Sequence, residues 1–243
     1  MFGGAGGIGR ATAAALGTAG HQVVIAGRRA AALAAAARDL SGPAAGLFVG
    51  DIAAERDAVR AIGEVDPDIL ILNAGGPPPG RILDVGDEQW QAAFELLLLG
   101  PLRLARLALP RMAGRGFGRV VFVTSTAVRQ PQPDLALSVV LRAAVTSAAK
   151  LLSREFAADG VTVNCVAPGP TATQRRTDIL TARAERTGES LAALDAADVA
   201  GVPAGRPGRP DEIGAAIAFL ASDAASYVNG TVLTVDGGRT ETT

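Results

Sequence analysis

Glycines near the amino end of the chain have the spacing of a loop that could hold phosphate groups. Gly3, Gly7 and Gly9 form the pattern Gly-x-x-x-Gly-x-Gly, and Ile8 lies at the entry to a predicted helix. Glycines permit a tight turn and let backbone N–H groups approach a pyrophosphate at a helix amino terminus. A glycine turn without a ligand would look the same. The helix and strand that follow favour dinucleotide binding, because together they make a βαβ unit.

The end of the next predicted strand, His21–Ala26, indicates which dinucleotide would bind. An NAD site usually has an acidic residue there, which binds the ribose hydroxyls. This chain has Gly27, followed by Arg28 and Arg29. No carboxylate repels a 2′-phosphate at this point, and a guanidinium can bind one through two hydrogen bonds. The sequence therefore favours NADP over NAD, with two solvated arginines at a helix start as the alternative.

Short apolar runs alternate with longer amphipathic runs along the whole chain. The predicted strands, rich in Val and Ile with little period-two alternation, are His21–Ala26, Leu47–Val49, Asp68–Leu72, Arg119–Thr124, Val161–Val166 and Thr231–Val235. The predicted helices are Ile8–Ala19, Ala30–Leu40, Ala53–Gly63, Asp87–Met112, Leu135–Asp159 and Pro210–Ser222. Strands of this composition are typical of sheets buried on both faces. The pattern predicts a single α/β domain over residues 1–243, a doubly wound parallel sheet of Rossmann type.

Composition excludes several classes of function. The formal net charge of −1 provides no overall field that would attract nucleic acid or an anionic membrane. The longest apolar run, Phe94–Leu109, is interrupted by charged residues and does not predict a membrane span. The start of the chain has no signal-peptide pattern, and the sequence has no metal-ligand cluster. A single cysteine, Cys165, fits a reducing compartment, so we expect a cytoplasmic protein.

Further motifs follow the predicted strands in order. They are Phe2-Gly3-x-x-x-Gly7-Ile8-Gly9, Asp51-Ile52, Leu72-Asn73-Ala74-Gly75, Ser125, Pro168-Gly169, Asn229-Gly230 and Val235-Asp236-Gly237-Gly238. Together they resemble the short-chain dehydrogenase/reductase family over essentially the whole chain. The run Asn73–Gly80 and the pattern Leu135-x-Leu137-Ser138 resemble a divergent branch named after 3-oxoacyl-acyl-carrier-protein reductase.

The resemblance implies an NADP(H)-dependent oxidoreductase that acts on a small carbonyl or alcohol substrate. By the same resemblance, the cofactor would be bound by Gly3, Gly7, Ile8, Gly9, Arg28, Arg29, Asp51, Ile52, Asn73, Ala74, Gly75, Arg142, Pro168 and Gly169. The family's strand order, 3-2-1-4-5-6-7, is expected here. Its first strand precedes the glycine loop and is missing from this sequence, so we expect the natural chain to start upstream.

The catalytic residues of the family are mostly replaced. Its Tyr-x-x-x-Lys pair maps onto Ser138 and Arg142, and its Asn maps onto Leu97, while Ser125 is retained. A serine hydroxyl reaches less far than a phenol and does not titrate near neutral pH. An arginine keeps the charge but does not relay protons. The candidate catalytic residues are therefore Ser125, Ser138 and Arg142, with Arg142 binding the ribose or polarising a substrate oxygen.

Two alternatives remain open from the residues alone. Arg142 could be a buried, paired arginine on a helix face, and the protein could be a catalytically silent NADP-binding sensor or partner subunit. A further hypothesis concerns Pro101, which has no N–H and would leave the carbonyl of Leu97 free to hold an active-site water.

The segment Thr171–Arg206 is expected to cover the substrate as a lid. Its arginines could bind an acidic substrate, or they could form a solvated helical face. The helices Asp87–Met112 and Leu135–Asp159 have wide apolar faces. In the family such helices pack between subunits, so we expect a homodimer or homotetramer.

Overall fold

A computed structural model describes residues 1–38, 40 and 46–242 of the chain. The strands are β1 (Val24–Gly27), β2 (Gly46–Val49), β3 (Ile69–Leu72), β4 (Gly118–Val123), β5 (Val161–Pro168) and β6 (Val232–Val235). The α-helices are α1 (Gly7–Thr18), α2 (Ala30–Arg38), α3 (Glu55–Val65), α4 (Asp87–Phe94), α5 (Gly100–Arg115), α6 (Ala136–Glu155), α7 (Gln174–Thr187), α8 (Leu191–Ala200) and α9 (Pro210–Ala221). Most predicted bounds lie within a few residues of these. Residue 39, inside the predicted helix Ala30–Leu40, lies outside the described residues.

The strands form one parallel sheet with helices on both faces. β1 pairs with β2, and β3, β4, β5 and β6 pair in that order. Phe2 bridges Ala26 of β1 and Leu72 of β3 in parallel register. With Phe2 counted as the first strand, the order is the expected 3-2-1-4-5-6-7.

The central position of the sheet is held by Met1 and Phe2. The backbone N–H of Phe2 donates to Ile71 O at 3.2 Å, and the N–H of Ala26 donates to Met1 O at 2.7 Å. Next to these two residues, an apolar cleft opens whose lining includes Val24 and Leu70 from the flanking strands. The glycine loop therefore starts at Gly3, directly after the residue that occupies the central position of the sheet.

Burial explains the apolar, non-alternating strands. Every residue of β4 and of β5 is buried. One core lies between the sheet and α3, α5 and α6, and the other lies between the sheet and α1, α2 and α9. Because both faces are covered, β4 is almost wholly apolar, and the polar residues of β5, Thr162 and Asn164, are buried as well.

The predicted helix Asp87–Met112 is interrupted. A π-helical turn, Glu95–Leu99, separates α4 from α5, and Pro101 lies in the first turn of α5. A proline removes one helical hydrogen bond, and π-turns relieve such defects. The single helix predicted over Asp87–Met112 is therefore corrected to α4, a π-turn and α5. The water at the Leu97 carbonyl stays a prediction.

Helix α6 is the one described helix whose length and hydropathy would suit a membrane span. It packs instead against β5, β4 and the π-helical turn. Its buried side chains, among them Leu137, Leu141 and Val145, belong to the core of the α/β sandwich, and it carries Ser138 and Arg142. Two of its other apolar residues, Val140 and Leu151, are exposed.

Candidate active site

Three glycines of the loop could not carry a side chain without strain or collision. Gly3 and Gly7 have positive φ angles of 70° and 50°, in the region that favours glycine. A side-chain carbon at Gly9 would collide with the carbonyl oxygen of Gly3. The first N–H groups of a helix have no partner inside the helix, so those of α1, which begins at Gly7, can bind an anion. This cradle fits the pyrophosphate of a dinucleotide.

Side chains from neighbouring strand ends converge on the loop. Asn73, directly after β3, donates from Nδ2 to Gly3 O at 3.4 Å. Thr126, which follows β4, donates from Oγ1 to Pro168 O at the end of β5, at 3.3 Å. The methyl group of Thr173 lies against Gly7. The carboxyl ends of β3, β4 and β5 therefore lie together at the edge of the sheet where the glycine loop begins, which is where ligands of such sheets bind.

The predicted adenosine-binding residues lie at the ends of β1 and β2. Arg28 and Arg29 follow β1 and are exposed, so their side chains are accessible to a phosphate. Asp51 follows β2; its Oδ1 accepts from Ala53 N at 3.0 Å, and its own N–H donates to Asp57 Oδ2 at 2.9 Å. Ile52 is buried beneath this turn. Of the two neighbours that follow Asn73, Ala74 is buried and Gly75 is exposed.

Ser138 and Arg142 lie one turn apart on α6 and contact each other. The Nε of Arg142 donates to Ser138 Oγ at 3.1 Å. Its Nη1 donates to Val123 O at the end of β4, and its Nη2 donates to Ala74 O at 3.3 Å. Arg142 therefore joins α6 to the ends of β3 and β4. The hydroxyl hydrogen of Ser138 remains available to another acceptor, because its oxygen is the acceptor in the bond from Arg142.

The charge of Arg142 has no carboxylate partner among the described residues. Burial, together with the positive charge of Arg175, lowers the pKa of Arg142 to about 10. The side chain is still cationic at neutral pH. Arg142 is therefore held by carbonyl and hydroxyl oxygens, and no carboxylate among the described residues pairs with it. Both alternatives, a structural arginine on a helix face and a residue that acts at the site, stay open.

Ser125 lies just after β4, close in the chain to Val123, whose carbonyl oxygen accepts from Arg142. It begins a short 3₁₀-helix, Thr126–Val128, and its Oγ accepts from Ala127 N at 3.1 Å. Val123, which accepts from Arg142, is two residues earlier in the chain. The structure thus brings the end of β4, where Ser125 lies, to the Ser138–Arg142 pair.

Arg175 lies against the loop that follows β3, near Arg142. It was not identified from the sequence as a separate site residue. Its Nη2 donates to Pro77 O, and a side chain at Gly76 would overlap its guanidinium. In the sequence Arg175 is one of several arginines in the segment Thr171–Arg206, and its neighbour Arg176 is identical in type. The two arginines differ only in the direction in which their side chains project from α7.

Comparison with known proteins agrees with this geometry. The profile of a family described as Enoyl-(Acyl carrier protein) reductase matches residues 3–240. The short-chain type dehydrogenase/reductase y4mP of Sinorhizobium fredii is 34% identical over 96% of this chain and 92% of that protein. The 3-oxoacyl-[acyl-carrier-protein] reductase FabG of Haemophilus influenzae is 36% identical over 71% of this chain and 67% of that protein.

A solved structure extends the match to the whole fold. L-sorbose reductase from Gluconobacter frateurii, complexed with NADPH and L-sorbose, superposes with a TM-score of 0.93 at 28% identity and covers 100% of this chain and 96% of that one. The chain therefore belongs to the short-chain dehydrogenase/reductase family, in which it resembles the 3-oxoacyl-acyl-carrier-protein reductases.

Proposed function

We propose that the protein is an NADPH-dependent reductase that converts a small carbonyl compound into an alcohol. The observation that carries the proposal is the hydrogen bond from Arg142 Nε to Ser138 Oγ, at 3.1 Å, next to the carboxyl ends of β3 and β4. It supports the proposal because a hydroxyl group and a positive charge contact each other at the sequence positions that match the family's Tyr and Lys.

The residues present fit a dinucleotide. Gly3, Gly7 and Gly9 would hold the pyrophosphate, and the turn at Asp51 and Ile52 would hold the adenine. Asn73, Ala74, Gly75, Pro168 and Gly169 would border the nicotinamide ribose and ring, with Arg142 close by. When bound, the nicotinamide supplies the hydride that reduces the carbonyl carbon.

Ser138 and Arg142 would act on the carbonyl oxygen. Ser138 can donate a hydrogen bond to that oxygen, and the guanidinium of Arg142 stabilises the negative charge that develops there. Because serine does not titrate near neutral pH, the proton that completes the alcohol comes finally from solvent. Ser125 would orient the substrate from the end of β4.

The preference for NADPH follows from Arg28 and Arg29. Both are exposed directly after β1, and Gly27 occupies the place of the acidic residue that NAD sites use. The relative from Gluconobacter frateurii was solved with NADPH, and a 3-oxoacyl (acyl-carrier-protein) reductase from Agrobacterium tumefaciens, 28% identical, was solved with NADP. Both support the same cofactor for this chain.

The segment Thr171–Arg206 is proposed as the lid over this cleft, since α7 starts beside the glycine loop and α8 follows it. A homodimer or homotetramer is proposed from the apolar side chains that α4, α5 and α6 leave exposed. They are Phe94, Leu107, Val140 and Leu151. A cytoplasmic location fits the buried free thiol of Cys165.

Titration with NADPH and NADH, followed by nicotinamide fluorescence, tests the cofactor. We expect saturable binding of NADPH with a Kd at least tenfold below that of NADH. Equal affinities would contradict the NADP assignment, and a folded sample that binds neither would contradict the dinucleotide site. A screen of carbonyl compounds against the NADPH complex then tests for reduction.

A further inference from the structure

The arginines of the lid segment differ in their partners. Those paired with carboxylates are Arg176 with Asp195 and Asp198, Arg183 and Arg186 with Asp134, and Arg206 with Glu212. Arg175 makes no ion pair with any residue in the described ranges. Consecutive residues on an α-helix point about 100° apart. Arg176 therefore meets α8, whereas Arg175 reaches the loop after β3.

Arg175 and Arg142 lie along the same short stretch of that loop. Arg142 Nη2 donates to Ala74 O, and Arg175 Nη2 donates to Pro77 O. Three residues of extended chain span at most about 11 Å, which limits the separation of these two carbonyl oxygens. The charges are close enough for Arg175 to lower the pKa of Arg142. The two guanidinium groups therefore lie near each other along the loop that follows β3.

Neither charge is neutralised by a nearby acid in the described part of the chain. Burial lowers the pKa of Arg175, and the attraction of Asp178 only partly opposes this effect. Asp178 itself accepts a hydrogen bond from Gln174 Nε2, at 2.9 Å. Half-buried cations held by neutral oxygens, without a carboxylate, are costly, and two such cations near each other repel each other. An anion bound between them would relieve both costs, and a guanidinium can bind a carboxylate through two hydrogen bonds.

We propose that Arg175 forms an anion site next to Arg142 and that the substrate is a small carboxylic acid with a keto or aldehyde group. The carboxylate binds Arg175, while the carbonyl oxygen lies at Ser138 and Arg142. The proposal rests on the reductase function proposed above and names its substrate class. The glycine loop at Gly3–Gly9 already provides the site for the cofactor's pyrophosphate, so Arg175 remains for the substrate.

Binding to the protein saturated with NADP⁺ tests the proposal without turnover. The probes are acetoacetate, 2-oxobutyrate, levulinate and 4-carboxybenzaldehyde, each compared by calorimetry with its methyl ester. These acids differ in the distance between carboxylate and carbonyl. We expect at least one acid to bind tenfold or more tightly than its ester. The R175Q variant should bring that ratio to about one, and R175K should restore part of it.

The matched control is R186Q, which removes another guanidinium from α7 but leaves Asp134 paired with Arg183. It should keep the preference for the acid. The proposal is overturned if no acid is preferred over its ester, or if the preference survives in R175Q. It is also overturned if R175Q weakens NADP⁺ binding instead, because Arg175 would then hold a cofactor phosphate. Loss of the reductase function itself would appear separately, as failure to bind NADPH or to transfer hydride.

Discussion

Arg142 donates from Nε to the hydroxyl of Ser138, 3.1 Å away and one helical turn earlier on α6. A Tyr–Lys pair with the same spacing acts in the family that the chain belongs to. Here the donor is a shorter hydroxyl, and the cation is held in place by the carbonyl oxygens of Val123 and Ala74. The pair can stabilise charge on a substrate oxygen, although neither member titrates near neutral pH.

Replacing Ser138 with Ala should lower kcat by about 100-fold, the typical loss when one donor to a developing oxyanion is removed. The affinity for NADPH should stay unchanged, because the variant leaves the glycine loop intact. Steady-state kinetics and a fluorescence titration measure the two effects. Ser138→Thr keeps the hydroxyl and should retain most of the activity. Equal kcat values for S138A and the unaltered protein would remove Ser138 from the mechanism.

Removing both Arg28 and Arg29 should weaken NADPH binding by about 10- to 100-fold. A hydrogen bond to a charged group contributes about 1.5–3 kcal/mol, and 1.4 kcal/mol corresponds to a factor of ten. The affinity for NADH should stay within about twofold, since NADH has no 2′-phosphate. Fluorescence titration of the R28A/R29A variant measures both constants. If the two cofactors lose affinity equally, these arginines do not recognise the phosphate.

Substitution of Gly9 with Ala should abolish cofactor binding and lower the melting temperature. The added carbon would collide with Gly3 O, so either α1 or the loop must move. Gly63→Ala is the matched control, because it lies in α3 with open space around it and should stabilise the helix by about 0.5–1 kcal/mol. Thermal melts and NADPH titration compare them. Unchanged NADPH affinity in G9A would contradict the close packing of the loop.

Asp134 should hold the lid in place through Arg183 and Arg186. Burial raises its pKa, but the hydrogen bonds from the two arginines outweigh that effect, and the pKa ends below the usual value for aspartate. A depressed carboxyl pKa means that the contact stabilises the fold fully above the unfolded pKa of about 3.9 and is lost as pH falls through the folded pKa. The contact should therefore be constant between pH 5 and pH 8.

The D134N variant should raise KM several-fold throughout that pH range with a smaller effect on kcat. Kinetics between pH 5 and pH 8 measure the change. Asp195 is half exposed, and Arg176 keeps Asp198 when Asp195 is altered. The D195N variant is therefore a control that should change KM little. If D134N and the unaltered protein have the same KM, the contact of Asp134 with Arg183 and Arg186 does not contribute to substrate binding.

Those parts of the fold that depend on local sequence patterns could be predicted from the sequence. The apolar run of β4 predicted a strand buried on both faces, and the spacing of Ser138 and Arg142 predicted two residues on one helix face. Pro101 indicated the helix break, because a missing N–H is visible in the sequence. Its form, a π-turn over Glu95–Leu99, depends on packing against α6 and could not be predicted.

The role of Arg175 could not be predicted for a different reason. Arg175 and Arg176 are neighbours of the same type, and the carboxylates that pair with Arg176 lie about 20 residues further along the chain. Which arginine remains without an acid depends on how α7 and α8 pack. In the same way, the pairing of Phe2 with both Ala26 and Leu72 is a long-range contact with no local pattern.

Transfer of a label from the cofactor tests the central claim most directly. The protein would be incubated with NADPH deuterated at the nicotinamide C4 position and with the panel of keto and aldehyde acids, and the products would be analysed by mass spectrometry and NMR. We predict deuterium on the former carbonyl carbon of at least one product, with oxidation of one equivalent of NADPH. Tight NADPH binding without label transfer to any of them, or to their esters, would contradict the reductase and favour a catalytically silent NADP-binding protein.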